Sequence, residues 1–290
     1  MTHFTGLTGT VRRAGTTVCL CLLLTIVTGC ATAPYQYGVQ FDAPHAVELP
    51  DEAEFVRGPS NWYFDRADWF WPGSWLSKLI LWDLRVDSHT IGDDTERALR
   101  DYLAANDMRH VKVYLNAYHP GVEWRRLVHN RSVGPGWRYT IGVLSWVQYA
   151  AMPGIIFGGD HYNPYTNSIH LYSDIPAIAI HEGGHAKDFA NKQLKGTYAF
   201  IYMLPLVNLY HEAVATADTQ SYFKAEQEAA YLREGYHVLY PAYGTYLGGG
   251  AGDLSTVLSW QLYIAGVLGG HAVGRVRGAF VQVPDNGANY

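Results

Sequence analysis

The sequence predicts a mixed α+β fold with a small mixed sheet, a helix carrying the pattern HExxH, and a helical C-terminal half. Three observations carry this. Short segments of β-type character stand at 111–115, 155–157 and 167–172. The run Ala177-Ile178-Ala179-Ile180-His181-Glu182-Gly183-Gly184-His185 enters the motif from an apolar stretch. From residue 207 onward the spacing of apolar residues is helical, punctuated by glycine.

The first 29 residues read as an export signal and not as part of the fold. Arg12 and Arg13 form a basic start, residues 18–27 an apolar core too short to span a bilayer as a mature helix, and Val27-Thr28-Gly29-Cys30 closes it. That ending resembles the lipobox of bacterial lipoproteins, which implies cleavage before Cys30 and acylation of that cysteine. Ala31 after it resembles the sorting signal for an outer membrane, facing the periplasm. The other two cysteines, Cys19 and Cys21, lie inside the signal, so the mature chain forms no internal disulfide and depends on its core. About 260 residues suffice for such a core. Removing residues 1–29, which hold two arginines and no acid, takes the net charge from −5 to −7. An acidic chain without basic runs gives no footprint for nucleic acid.

Residues 30–58 are polar and Pro-bearing without sustained periodicity, and are expected to form a tether; 59–290 are expected to form one domain. It opens with an aromatic patch, Trp62, Tyr63, Phe64, Trp69, Phe70, Trp71, Trp75 and Trp82, for which core packing is expected over contact with lipid headgroups. Asp93-Asp94 caps an amphipathic helix at 95–105 whose inner face is Leu99, Tyr102 and Leu103. The alternation at 111–115 predicts a strand, 122–128 a helix, and Gly134-Pro135-Gly136 a turn. The apolar stretch 141–157, interrupted at Pro153 and Gly154, predicts a buried helix and then a strand at 155–157. Polar turn formers at 160–166 make a loop, and 167–172 a further strand. Ser173-Asp174 caps the motif helix, with Pro176 in its first turn. Gly196 is expected to break the chain, 207–233 to be one helix, and Gly248-Gly249-Gly250 to turn into a last helix. There Gly266, Gly270 and Gly274, spaced by four, form a small-residue stripe for close helix packing.

On one helix, residues four apart face the same way, so the imidazoles of His181 and His185 can hold one metal ion with Glu182 beside its water. The chance alternative, two packed histidines, is disfavoured by the helical start signal and the strand before it. A catalytic zinc takes three protein ligands and leaves a position open. The third is sought in Tyr210-His211-Glu212-Ala213-Val214-Ala215-Thr216-Ala217-Asp218, with Glu212 first and Asp218 and His211 behind it. For stabilising the transition state, His161, Tyr162, Tyr222 and His237 are candidates, each with a purely structural alternative. Asp188 is either an acceptor behind a ligand or an ion-pair partner of Lys192. Gly183 and Gly184 cost the helix about 1 kcal/mol each against alanine, a penalty explained by close approach of a neighbouring backbone.

On these residues, chiefly His181-Glu182-xx-His185 and the later Glu212, the chain resembles the gluzincin branch of the zincin metallopeptidases over roughly residues 155–220. The resemblance implies a zincin-like fold, His181, His185 and Glu212 as ligands of one Zn²⁺, Glu182 as general base, and an edge strand before the motif helix along which a peptide substrate lies. It implies metal-assisted hydrolysis, with Glu182 taking the water proton and passing it to the leaving amine. The metzincin pattern is excluded, because Asp188 and Asn191 stand where its glycine and third histidine fall. Gluzincins often carry an aspartate four residues after the glutamate ligand; here that position is Thr216, and Asp218 is two residues late. The expected function is therefore a zinc metallopeptidase at the cell envelope, anchored to the membrane through Cys30. The competing readings are a non-catalytic envelope lipoprotein and a cell-wall peptide amidase. Retention of Glu182, which a structural zinc site does not need, favours catalysis.

Overall fold

The computed structural model describes residues 34–39, 54–58, 72–108, 110–152, 154–157, 159–204, 207–253 and 259–282. The signal segment, Cys30 and Trp62 to Trp71 of the aromatic patch lie outside the described residues.

The fold is α+β, as expected, with four short strands and nine helices of two turns or more among the described residues. These are β1 (Phe55–Arg57), α1 (Pro72–Leu81), α2 (Asp93–Ala105), β2 (Lys112–Leu115), α3 (Pro120–His129), α4 (Val143–Ala151), β3 (His161–Asn163), β4 (Ser168–Leu171), α5 (Pro176–Ala190), α6 (Lys195–Tyr202), α7 (Val207–Ala225), α8 (Ala229–Asp253) and α9 (Ser259–Ala279). The sheet order is β1-β2-β4-β3, with β1, β2 and β4 parallel and β3 antiparallel on the outside. No described helix is long and apolar enough to cross a membrane.

Several elements differ from expectation. The supposed tether supplies β1, in register Phe55 to Val113, because a three-residue strand against a parallel neighbour needs no amphipathic signature of its own. Its earlier part is docked too. The Lys187 ammonium donates to Gln36 O at 2.6 Å and sits 3.9 Å over the Tyr35 ring, while Tyr35 donates to Asn106 at 2.9 Å. All four residues of β2 are buried, not alternate ones, since the strand has parallel neighbours on both edges. Residues 154–157 form a helical turn instead of a strand, and α4 before it is only partly buried. The loop expected at 160–166 contains β3, which forms a hairpin with β4 in register Tyr162 to Ile169. Trp75 and Trp82 are exposed and not core.

Capping is redistributed. Asp174 does not cap α5; its carboxylate accepts Gly92 N–H at 2.8 Å and the Thr95 hydroxyl at 2.6 Å, and so caps α2 from a distance. The α5 start is Ile175 with Pro176 at the first position, and Glu234 of α8 accepts Ala177 N–H at 3.3 Å. Gly196 lies inside α6, where a Cβ would stand 2.6 Å from the Trp137 ring. The long helix at 207–233 is two helices, α7 and α8, divided at 226–228. Gly248 to Gly250 continue α8, because Gly248 faces Leu262 and Tyr263 backbone and is needed for packing, not for turning.

The glycine stripe performs as read. Cβ atoms on Gly266, Gly270 and Gly274 of α9 would lie 2.2, 2.4 and 2.1 Å from the carbonyl oxygens of Gly244, Tyr240 and Tyr236 of α8. Only glycine admits two helices at that distance.

The main core joins α2, the inner strands, α5, α7 and α8, with Leu99, Tyr102, Ile169, Ile180 and Phe223 at its centre. Behind the sheet lies a buried polar cluster. The Ser168 hydroxyl donates to Glu123 Oε2 at 2.9 Å, the His170 ring stands 3.6 Å away, and Arg126 binds the carbonyls of Thr166 and Asn167. Burial alone would raise the Glu123 pKa, but the His170 ring, the Thr166 hydroxyl and Arg126 outweigh it and hold the carboxyl at about 2. A depressed pKa stabilises the fold above the unfolded value near 4.3 and withdraws that support as pH falls toward 2. The contribution is about 3 kcal/mol. Urea unfolding of Glu123→Gln should therefore lose much of the parent's decline in stability between about pH 5 and 2. An unaltered decline would show that Glu123 does not titrate with folding.

Candidate metal centre

Helix α5 is buried along almost its whole length, from Pro176 through Lys187. A helix sunk in the core can hold two imidazoles and a carboxylate only if they are satisfied there. Gly183 faces the Tyr102 ring of α2, which a Cβ would meet at 2.7 Å; Gly184 faces Ala215 of α7, whose carbonyl oxygen and Cα would lie at 3.1 and 3.2 Å. The two glycines thus let α2 and α7 close on the motif from two sides, and the approach of α7 brings Glu212 to the histidines.

His181, His185 and Glu212 offer ligand atoms that all lie within 4.8 Å of one another. His181 Nε2 is 3.1 Å from Glu212 Oε2 and 3.1 Å from His185 Nε2, and His185 Nε2 is 3.5 Å from Glu212 Oε1. Tetrahedral zinc with bonds of about 2.0–2.1 Å sets its ligands roughly 3.3 Å apart, so the donor set fits in type and spacing. Burial disfavours the Glu212 charge, but the two imidazoles more than offset this and hold its pKa well below the carboxylate range. The Tyr202 hydroxyl donates to Glu212 Oε1 at 2.7 Å. One feature departs from the usual support of a metal-bound histidine: His181 Nδ1 is buried with no hydrogen-bond partner among the described residues.

Glu182 points into the cleft beside this cluster. Burial raises its pKa to about 8, against the pull of His181 and with the push of Glu212 and Asp160, while Tyr162 N–H supports the charged form. The cleft, about 380 Å³, is lined by Ile141, Leu144, Phe189 and Met203 and by His161 and Tyr162 of β3. Among the described residues no lysine or arginine lines it.

The remaining candidates divide. His161 lies in the cleft wall, its Nδ1 3.0 Å from Gly159 O and its ring stacked on His170 at 4.6 Å; burial and His170 lower its pKa. Tyr162 lines the cleft, but its hydroxyl donates to Asn167 at 2.8 Å. Asp218 is not brought to the histidines. It pairs with Lys187 at 2.9 Å and accepts the Tyr102 hydroxyl, because it lies on another face of α7 from Glu212. Thr216 is half buried one turn after Glu212, and no hydrogen bond from it to either histidine is seen among the described residues. Asp188 pairs with Lys192 at 3.0 Å and accepts the Tyr198 hydroxyl, with His211 Nδ1 at 3.5 Å, so the ion pair is formed and His211 is not brought into the cluster of His181, His185 and Glu212. Tyr222 is packed on Tyr35 and Tyr102 in the core, and His237 lies against Gly278; neither lines the cleft. Sequence reasoning missed Tyr202 and Tyr246, which both line the cleft and face Glu212. Among 22 tyrosines nothing singles them out.

No family model, curated protein or solved structure gives a significant match to this chain. The functional reading therefore rests on its own residues.

Proposed function

We propose that the chain is a zinc-dependent peptidase that cleaves within an extended polypeptide. The observation that carries the proposal is the convergence of His181, His185 and Glu212, with Glu182 beside them, on a cleft bordered by the outer strand of the sheet. When bound there, zinc would supply Lewis-acid polarisation of the scissile carbonyl and of a water. Glu182 takes the proton of the attacking water and returns it to the leaving nitrogen, a role open to a carboxylate that lines the cleft beside the two imidazoles. Tyr202 orients Glu212 through its 2.7 Å hydrogen bond to Oε1 and keeps Oε2 turned to His181.

The cleft also speaks to the substrate. β3 pairs with β4 on one edge only among the described strands, so its other edge can take a substrate as an added strand. Ile141, Leu144, Phe189 and Met203 suit a large apolar side chain. Among the described residues no lysine or arginine lines the cleft, so a C-terminal carboxylate finds no ammonium or guanidinium partner there, which disfavours cleavage of the C-terminal residue alone. This accords with the gluzincin resemblance, and the same reading places the protein at the cell envelope through acylation of Cys30.

The experiment is metal content by mass spectrometry beside cleavage of internally quenched peptides that vary one apolar position. The expected result is about one zinc per chain and hydrolysis next to large apolar residues. A folded protein that takes up no zinc would overturn the proposal. Zinc uptake without cleavage of any peptide would favour a structural zinc site.

A further inference from the structure

The outer edge of the sheet is short. Of the three residues of β3, Tyr162 turns its backbone outward, since its N–H reaches Glu182, and in an antiparallel pair such outward residues alternate. That N–H is engaged, so within β3 the edge offers a bound chain at most the Tyr162 carbonyl, which fixes its register weakly. A second group stands beside it. His161 is half-buried, lines the cleft, and pairs across the hairpin with His170. Their rings stack at 4.6 Å with 9° between planes, and the fully buried His170 has its Nε2 3.1 Å from Ser168 Oγ. On its other side His161 Nδ1 lies 3.0 Å from Gly159 O. A carbonyl only accepts, so Nδ1 carries the hydrogen. Burial and His170 lower the pKa of the ring to about 4; above that pH it is uncharged and Nε2 keeps its lone pair. No hydrogen bond to that nitrogen is seen among the described residues.

The carbonyl that orients this ring is itself held. Gly159 has a φ of +95°, and its N–H donates to Asp87 Oδ1 at 2.9 Å. Asp160 after it accepts Tyr172 and Ser173 N–H at 2.6 and 3.0 Å, which ties the start of β3 to the end of β4. An imidazole locked in this tautomer has no hydrogen on Nε2 to give to a developing oxyanion; it can only accept. We infer that His161 Nε2 accepts a backbone N–H of the bound polypeptide, and so sets which peptide bond stands before Glu182. A ring pinned on His170 and Gly159 makes that contact without being ordered at the moment of binding. Proline, which has no N–H, is excluded from the substrate position that His161 reads. The inference rests on the peptidase reading, since it needs a peptide in the cleft; the tautomer does not.

Nitrogen NMR of the full chain carrying Glu182→Gln, supplied with zinc and with its histidines isotope-labelled, reads the tautomer; His161→Gln assigns the signals by their loss. A protonated Nδ1 and a bare Nε2 are expected, and the Nε2 signal should move upfield when an alanine peptide with a central Phe-Leu pair is added. Exchanging one backbone N–H after another in that peptide for an ester oxygen should abolish the movement at a single position. With Glu182 in place, His161→Phe keeps a ring on His170 but no acceptor. Its KM for the quenched form of the peptide should rise by about 3–10-fold with kcat little changed, and the ester at that one position should cost the variant nothing further. A hydrogen on Nε2 overturns the inference, whatever the chain cleaves. So does an Nε2 signal unmoved by a peptide that the parent cleaves, or an ester penalty equal in parent and variant. A peptide neither cleaved by the parent nor bound by Glu182→Gln places the failure in the peptidase reading, and the inference falls with it.

Discussion

Glu182→Gln should lower kcat/KM for peptide hydrolysis by about 10²–10⁴-fold while leaving about one zinc per chain. The amide keeps the size of the side chain and can still accept the Tyr162 N–H, so the cleft retains its shape. What it loses is a site for the proton. Glu182 is buried, so a thermal melt beside the rate measurement separates loss of the base from any loss of stability. Undiminished hydrolysis would exclude Glu182 as the base. Loss of zinc would make it a ligand.

The second large effect is on metal affinity, and it should be graded. Glu212→Ala removes the only anion among the three proposed ligands and leaves two imidazole nitrogens 3.1 Å apart, so zinc should be largely lost in competition with a chelating dye. Tyr202→Phe keeps every ligand and removes only the 2.7 Å hydrogen bond to Glu212 Oε1; its zinc affinity should fall by about 10–100-fold. Equal affinity in Glu212→Ala and the parent would disprove the three-residue centre, since neither Asp218 nor His211 is in place to substitute. Equal affinity in Tyr202→Phe alone would confine that tyrosine to packing.

The clustering of His181, His185 and Glu212 was legible in the sequence because a helix converts spacing directly into direction. His181 and His185 need only a 3.6-residue period, and Gly183 and Gly184 advertise by their cost that something approaches closely. Glu212 was legible for a related reason, standing in an alanine-rich segment able to approach another helix. Gly266, Gly270 and Gly274 announced their packing likewise. What failed was whatever depended on a distant partner. His161-Tyr162-Asn163 has no strand signature; it becomes a strand because β4 offers an edge. Asp174 sits where a cap for α5 would sit, yet serves α2, since hydrogen-bond demand is settled in space and not along the chain. The division at 226–228 and the helical Gly248 to Gly250 follow from how α8 packs on α7 and α9. Tyr202 gives no local sign of its role.

The docking of Tyr35 and Gln36 against Lys187 would limit how far the protein can work from an anchor at Cys30. From Cys30 to Pro34 there are four peptide steps, a span of at most about 14 Å. Lys187 follows the second histidine by two residues on the same helix, so the chain enters the body directly beneath its most buried element. An acyl group at Cys30 would then act as a short mooring and not a long leash. The range of action would be set by the diffusion of substrates to a stationary cleft, and tension on the N-terminus would be felt first by the metal helix.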